Sequence, residues 1–310
     1  MSLAPIALFV FARPQHTRRT IEALMRCPEF ADSELYVFAD GARSPSDVPA
    51  VSEVREIVGE LLGDRARLKC ATYNLGLARS IIQGVGDLCE KYGKVIVVED
   101  DLVVAPRFLE FLNGALERYG DDDRVMQISA HMYPIEELEP QNRALFLPFT
   151  TSWGWATWSR SWNHFDESAA GWNELLVNRE LRMRFDLQGA FSATSMLRRQ
   201  MTGKLDSWAI RWYWSVFRKG GVILFPPKSL VWNAGFDGSG THGGVHIARY
   251  AGNLLHSANE IIFPELVEVD PCNYERIRRV VAEFNPSVRN RLRGHVNRIL
   301  LPMSEWWRRI

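Results

Sequence analysis

Cysteine is scarce in this chain. Four in 310 residues (Cys27, Cys70, Cys89, Cys272) stand far apart, with no C-x-x-C pair. A disulfide framework is therefore not expected, and a reducing compartment suits the composition better. Nowhere does an apolar run reach the roughly 18 residues of a membrane span, and no basic stretch precedes Ile6 to Phe11 as it would in a secretory signal. Net charge is absent too: 37 Lys and Arg balance 37 Asp and Glu, so overall charge selects no polyanionic partner. Two phosphate-binding signatures do not stand where a nucleotide fold would need them. No G-x-G-x-x-G follows the first apolar run and no G-x-x-x-x-G-K-[ST] occurs, which disfavours a dinucleotide fold and a P-loop enzyme.

Hydrophobic content of 46% with 24% charged residues is ordinary for a globular chain, and the length allows one large or two modest domains. The most informative stretch is Lys94 to Leu102. Val95, Ile96, Val97 and Val98 form an unbroken β-branched run, the pattern of an interior parallel strand buried on both faces. Glu99, Asp100 and Asp101 follow at once. In open α/β sheets, ligands bind off the carboxyl ends of strands, and adjacent carboxylates repel unless a hard cation carrying phosphate oxygens compensates them. The plainer alternative is a solvated turn, or Asp101 capping a helix over Pro106 to Tyr119.

Other strand ends repeat the pattern. Ile6 to Phe11 leads to Arg13, and Pro14 opens a helix running from Gln15 to Arg26. Leu35 to Phe38 ends at Asp40; a helix over Val48 to Leu62 and a strand over Leu68 to Thr72 lead to Asn74; a helix over Ala78 to Tyr92 feeds the central strand. This alternation predicts a parallel sheet with right-handed crossovers. Polar residues at four successive strand ends (Arg13, Asp40, Asn74 and the acidic triplet) suggest a nucleotide cleft.

Downstream, Val125 to Ala130, Ala144 to Phe149 and Val222 to Phe225 read as strands, and 171–185 and 189–201 as helices. The chain has eleven Trp, concentrated in its second half. Trp153, Gly154 and Trp155 either pack large rings into a hydrophobic cluster or wall an acceptor pocket, where a flat apolar face suits a sugar ring. Asp206 precedes an aromatic helix containing Trp208, so it is an N-cap or a carboxylate suited to general-base work; the sequence leaves both open. Gly235, Gly238, Gly240, Gly243 and Gly244 surround Thr241 and His242, a composition expected of a lid loop in which His242 could meet a metal or a phosphate. From Pro271 onward nine arginines face three acids. Val288, Leu292, Val296, Ile299 and Leu300 share one helical face before Trp306 and Trp307. This basic amphipathic tail fits either an anionic membrane surface or a helix docked on the protein body.

With these residues in view, the chain resembles GT-A-fold glycosyltransferases, and is similar to the bacterial sugar transferases related to N-acetylglucosaminyltransferase I. The likeness runs from Ile6 to about Gly244. It implies a Rossmann-like mixed, mainly parallel sheet flanked by helices, as residues 1–270, with a nucleotide-sugar and metal half over 1–130 and an acceptor half with the lid loop over 131–270. The basic amphipathic tail, 271–310, lies outside the likeness.

The family's variant of the D-x-D motif resembles Glu99-Asp100-Asp101. This implies that Asp101 binds Mn²⁺ or Mg²⁺, with Asp100 near the ribose or metal shell and Glu99 near the donor sugar. Arg13 and Asp40 match positions that contact the nucleotide. Gly154-Trp155 resembles a family segment, Asp206 beside Trp208 resembles the catalytic base, and Thr241-His242-Gly243 resembles the donor-covering loop.

The resemblance implies transfer of a hexosyl or N-acetylhexosaminyl group from a nucleotide sugar, a UDP-sugar by preference, to a glycan or lipid-linked glycan with inversion by single displacement. The context it implies is bacterial surface polysaccharide synthesis, in the cytoplasm or peripheral on the inner membrane face, with no nucleic-acid partner. Two alternatives belong to other classes. A nucleotidyltransferase of related fold needs a Gly-rich, Arg/Lys-bearing loop after the first strand, which Phe11-Ala12-Arg13-Pro14 does not supply. A non-catalytic glycan- or membrane-binding protein has no need of charged groups at successive strand ends.

Overall fold

The computed structural model describes residues 2–135, 138, 142–236 and 260–284. The lid-loop residues Gly238, Gly240, Thr241, His242 and Gly243, and the tail beyond Phe284, lie outside the described residues. Contacts divide the chain into two compact units, residues 1–170 with 206–270, and residues 171–205 with 271–310.

The first unit is built on an eight-stranded sheet. In chain order its strands are β1 (Ile6–Val10), β2 (Leu35–Ala39), β3 (Ala66–Cys70), β4 (Lys94–Glu99), β6 (Val125–Ser129), β7 (Leu145–Leu147), β8 (Trp155–Trp158) and β9 (Val222–Phe225). Their spatial order is β3-β2-β1-β4-β8-β6-β9-β7. β3, β2, β1 and β4 pair in parallel, as do β6 and β9, while β8 and β7 run against their neighbours. Six strands thus deliver their carboxyl ends to one edge, and the amino end of reversed β8 arrives there with Trp153 and Gly154. This is the expected mixed, mainly parallel sheet flanked by helices. Val95, Ile96, Val97 and Val98 are fully buried, as a continuous apolar run at the sheet centre should be. Each such side chain contributes roughly 1.5–3 kcal/mol relative to exposure.

Helices cover the sheet: α1 (Pro14–Leu24), α2 (Val48–Leu62), α3 (Leu77–Tyr92), α4 (Phe108–Arg118), a short α5 (Ser159–Trp162) and α9 (Trp208–Arg218). Pro14 opens α1 and Gly93, in the left-handed region, closes α3. A two-stranded ribbon joins β5 (Leu102–Val104) to β10 (Val231–Asn233) in antiparallel register. This ribbon overturns one expectation. Asp101 does not cap the following helix, because β5 intervenes and the cap position of α4 is Arg107, with no side-chain cap bond.

The second unit contains α6 (Glu174–Val177), α7 (Arg179–Phe185), α8 (Ala193–Met201) and α10 (Pro271–Phe284). The single helix expected over 171–185 is broken. Asn178 turns the chain, and its side chain accepts the Leu181 N–H at 3.0 Å, starting α7 afresh. Leu175, Phe185, Leu197, Ile277 and Val281 are buried. Among the described residues no helix is long and apolar enough to cross a membrane.

Candidate functional site

Parallel pairing places the ends of β1, β2, β3 and β4 side by side, so the polar residues after each share one edge. After β4 the chain turns through Asp100 and Asp101 into β5. The Asp100 carbonyl accepts Thr20 Oγ1 from α1 at 2.8 Å, and the Asp100 carboxylate accepts the Phe11 N–H at 3.1 Å. Arg13 Nη1 donates to Asp101 Oδ2 at 2.7 Å. Glu99, paired in register with Phe9, is partly buried.

One guanidinium faces three carboxylates here, and electrostatics follow. Burial, then the neighbouring charge of Asp101, pushes Asp100 up to about 7 against the opposing pull of Arg13 and the Phe11 amide. Glu99 is raised well above the ordinary carboxylate range by burial and by repulsion from Asp101 and Asp100. The arrangement is under-compensated in positive charge.

β10 closes the site from above. After it, residues Ala234–Phe236 form a 3-10 turn: the Ala234 N–H donates to the Asp101 carbonyl at 2.7 Å, and His16 Nε2 lies 3.3 Å from the Ala234 carbonyl. Asn233 Oδ1 accepts the Gly235 N–H at 2.8 Å. Gly235, the first of the five loop glycines, therefore belongs to a fixed turn rather than to a lid. A Cβ there would stand 2.4 Å from Asp101 Oδ2 and 3.0 Å from Arg13 Nη1. His16, Thr20 and Asn233 were not evident as site residues; Thr20 and His16 look like ordinary members of an amphipathic helix, and only the fold brings residue 233 onto residue 101.

Asp40 and Asn74 also meet, in a way that redefines Asp40. Its carboxylate accepts four donors: the Gly41 and Leu75 N–H groups on Oδ1, each at 2.8 Å, and Asn74 Nδ2 and the Gly76 N–H on Oδ2, each at 2.9 Å. Asp40 is 8% exposed. Those bonds tie the end of β2 to the loop before α3. Beside this clamp, a cavity of about 210 Å³ opens between α3 and β2–β3, lined by Phe38, Lys69, Cys70, Gln83 and Asp87 among others.

The aromatic residues separate by burial. Trp155 and Trp208 stack with centroids 5.0 Å apart and are 0% and 4% exposed, so both rings are packed into the body. Trp153 is half-buried and meets His131 edge to face at 4.5 Å. Gly154, at φ +59°, is required by a near neighbour: a Cβ would stand 2.7 Å from the Phe108 ring. His131 and Tyr133, after β6 at the same sheet edge, pack at 5.1 Å and were not evident as site residues either. Burial pushes the His131 imidazole down to about 3.

Asp206 does not cap α9. Ser207 does, its hydroxyl accepting the Ile210 N–H at 3.4 Å. The Asp206 side chain is 73% exposed and 3.7 Å from Arg211 Nη2, while Glu167 lies 3.9 Å from Arg211 Nη1. This is a carboxylate at the surface, not one enclosed by aromatic rings.

Among the described residues no three His, Cys, Asp or Glu side chains converge as a ready-made metal cluster. The donor set nevertheless fits a divalent cation of the hard type, which takes one or two carboxylates and fills its remaining positions with phosphate oxygens and water. Asp101, with Asp100 adjacent, offers that pair in a site short of positive charge.

No protein-family model matches the chain, and no curated protein matches it in sequence. Solved structures do show similarity. A mannosyltransferase from Pyrobaculum calidifontis, in complex with GDP-mannose and Mn²⁺, is 15% identical over 50% of this chain and 44% of that one, TM-score 0.34. The chain thus spans less than half of that transferase. The galactosyltransferase LgtC, in complex with donor and acceptor sugar analogues, is 11% identical over 93% of this chain and 99% of that one, TM-score 0.38. A mannose-1-phosphate geranyltransferase from Thermus thermophilus is 11% identical over 73% and 74%, TM-score 0.34.

Proposed function

We propose that the chain is a metal-dependent glycosyltransferase that moves a sugar from a nucleotide-sugar donor, a UDP-sugar by preference, to a glycan or lipid-linked glycan acceptor. The observation that carries this reading is the Arg13–Asp101 pair, 2.7 Å apart, within an acidic triplet at the edge where six strands end. Cation and anion donors placed side by side there suit a diphosphate held jointly by a metal and an arginine. A nucleotidyltransferase remains without the Gly-rich loop it needs after β1.

On this reading Asp101, with Asp100 close by, would hold Mn²⁺ or Mg²⁺, which when bound supplies charge stabilisation to the leaving diphosphate. Arg13 pairs with phosphate oxygens, and Glu99 faces the donor sugar. Asp40 and Asn74 serve the nucleotide by fixing the 73–76 loop rather than through a free carboxylate. Asp206 takes the proton of the acceptor hydroxyl as its oxygen bonds the anomeric carbon and the nucleoside diphosphate leaves from the opposite face, which inverts that centre; the exposure of Asp206 leaves it accessible to an acceptor. Trp153 is the aromatic residue with surface left for a sugar face, whereas Trp155 and Trp208 are packed into the body. His242, as a metal or phosphate contact, and the glycines of a donor-covering lid belong to the proposal too, as does the polybasic tail on an inner membrane face.

The test is a thermal-shift screen of UDP, GDP, dTDP and CMP sugars, each with and without Mn²⁺, on the native chain and on Asp101→Ala. Ligand at about 100 times its dissociation constant adds roughly 2.7 kcal/mol. A shift for one nucleotide that needs both the metal and Asp101 is expected. No shift with any donor would overturn the reading. Turnover of Asp206→Asn within a few-fold of native would remove Asp206 as the base.

A further inference from the structure

Neutrality of the chain as a whole hides a partition of charge. Residues 171–205 and 271–310 carry fifteen Lys and Arg against six Asp and Glu, leaving 22 against 31 for the other unit. A chain of zero formal charge is therefore one unit of net +9 and another of net −9. Even without the residues beyond Phe284, the cationic unit holds nine basic against five acidic groups. Arg179, Arg198, Arg199, Lys204, Arg276 and Arg279 are exposed. Glu174 and Glu180 are exposed as well, and Glu275 is held by Arg278 and Arg279 at 2.8 and 3.1 Å.

The same unit presents an apolar tip. Val177 is 86% exposed and Leu176 46% exposed, at the break between α6 and α7 where Asn178 turns the chain. Arg179 follows two residues later. Arg182 Nη1 donates to the Leu175 and Leu176 carbonyls at 2.8 and 3.3 Å, which holds a guanidinium against the base of the tip. Two adjacent aliphatic side chains in water, beside arginines on a cationic unit, are unfavourable in isolation and useful at one kind of surface. Lipid headgroups receive the arginines while the acyl boundary receives the aliphatic groups. A nucleic-acid backbone would satisfy the charge but leave the tip in water.

We propose that this unit seats on an anionic lipid bilayer, with Leu176 and Val177 entering the headgroup boundary and the adjacent Arg179, together with other exposed arginines of the unit, on lipid phosphates. The inference stands apart from the transferase reading and extends the membrane surface beyond the C-terminal tail to the helical unit over 171–205.

Co-sedimentation of the full chain with vesicles of about one-third phosphatidylglycerol, against vesicles of phosphatidylcholine alone, tests it. Binding to the anionic vesicles alone is expected, weakened by salt because the attraction falls off within a Debye length. The double variant Leu176→Asp with Val177→Asp, both at exposed positions, is expected to lose about tenfold or more of that binding, since each adds a charge where apolar area would insert. Its melting temperature should stay within a few degrees of native. The variant Arg198→Glu with Arg199→Glu is expected to weaken binding in the same direction. Equal binding to both vesicles, or to neither, would overturn the proposal. So would undiminished binding by the Leu176/Val177 variant, which would assign attachment to residues 289–309, and so would equally tight binding to a DNA duplex, which would make the unit a general polyanion surface.

Discussion

The backbone at Gly235 lies against the carboxylate of Asp101, so that a methyl group added there would stand 2.4 Å from Oδ2. No left-handed φ is involved; space alone demands glycine at this position. Of the three neighbours that would have to give, Asp101, Arg13 and Asn233, the first two belong to the proposed phosphate and metal site. Gly235→Ala is therefore expected to weaken Mn²⁺-dependent nucleotide-sugar binding by about tenfold or more, the scale of one displaced charged contact. Titration calorimetry measures the affinity.

A second prediction concerns pH. Asp100 titrates near 7 in the folded protein and near the ordinary carboxylate value when unfolded. Between about pH 4 and 7 the folded state holds a proton that the unfolded state has released, so this group lowers stability as pH rises and leaves it constant above. Asp100→Asn removes the titration, and its amide oxygen can still accept the Phe11 N–H. The variant should gain on the native protein by roughly 2–3 kcal/mol between about pH 5 and 8, at about 1.4 kcal/mol per tenfold change in proton affinity. Urea titrations at the two pH values give the difference. Taking variant minus native separates this group from His131, whose neutral buried imidazole acts in the opposite sense as pH falls below about 6.5.

Much of the architecture is legible in sequence because it rests on local patterns. Unbroken apolar runs mark β1 and β4, and the alternation with amphipathic helices marks the parallel half of the sheet. The acidic triplet and Arg13 are visible for the same reason: each directly follows such a run. The β5–β10 ribbon is not legible, since three-residue strands carry no period and the partners lie over a hundred residues apart. Residue type did not separate the exposed Asp206 from the capping Ser207 next to it. It did not tell a core tryptophan from a pocket wall either, and Trp155 and Trp208 stack inside. Asp40 could be read as a free ligand because three of its four donors are backbone N–H groups, which leave no mark in the sequence.

That clamp yields the third prediction. Asp40→Ala strands the Gly41, Leu75 and Gly76 N–H groups at once and leaves the Asn74 amide only its bond to the Gly41 carbonyl. A buried donor left unsatisfied costs about 1–3 kcal/mol, so a loss of at least ~3 kcal/mol is expected. Asn74→Ala removes the amide that donates both to Asp40 Oδ2 at 2.9 Å and to the Gly41 carbonyl at 2.8 Å, and should cost about 1–2 kcal/mol, less than the loss of the whole carboxylate. Guanidinium unfolding compares them. If Asp40 instead served chiefly as a ligand, Asp40→Ala would lower donor affinity with little change in stability.

Trp155 and Trp212 are almost equally buried, at 0% and 1% exposure, yet their indole nitrogens differ. Trp212 Nε1 donates to Gln127 Oε1 at 2.6 Å, while Trp155 Nε1 is buried with no hydrogen-bond partner among the described residues. Replacement by Phe removes similar ring area from each, so the transfer and cavity costs should be close. The polar ledgers are opposite in sign. Trp212→Phe leaves Gln127 Oε1 without its donor in the interior, adding about 1–3 kcal/mol, whereas Trp155→Phe removes an unsatisfied donor and recovers part of a similar amount. Trp155→Phe should therefore be milder than Trp212→Phe by about 2 kcal/mol or more. Equilibrium unfolding followed by far-ultraviolet circular dichroism, which does not depend on the replaced fluorophore, reads the difference. Equal losses in the two variants would mean that Trp155 Nε1 holds a buried water worth as much as the Gln127 bond.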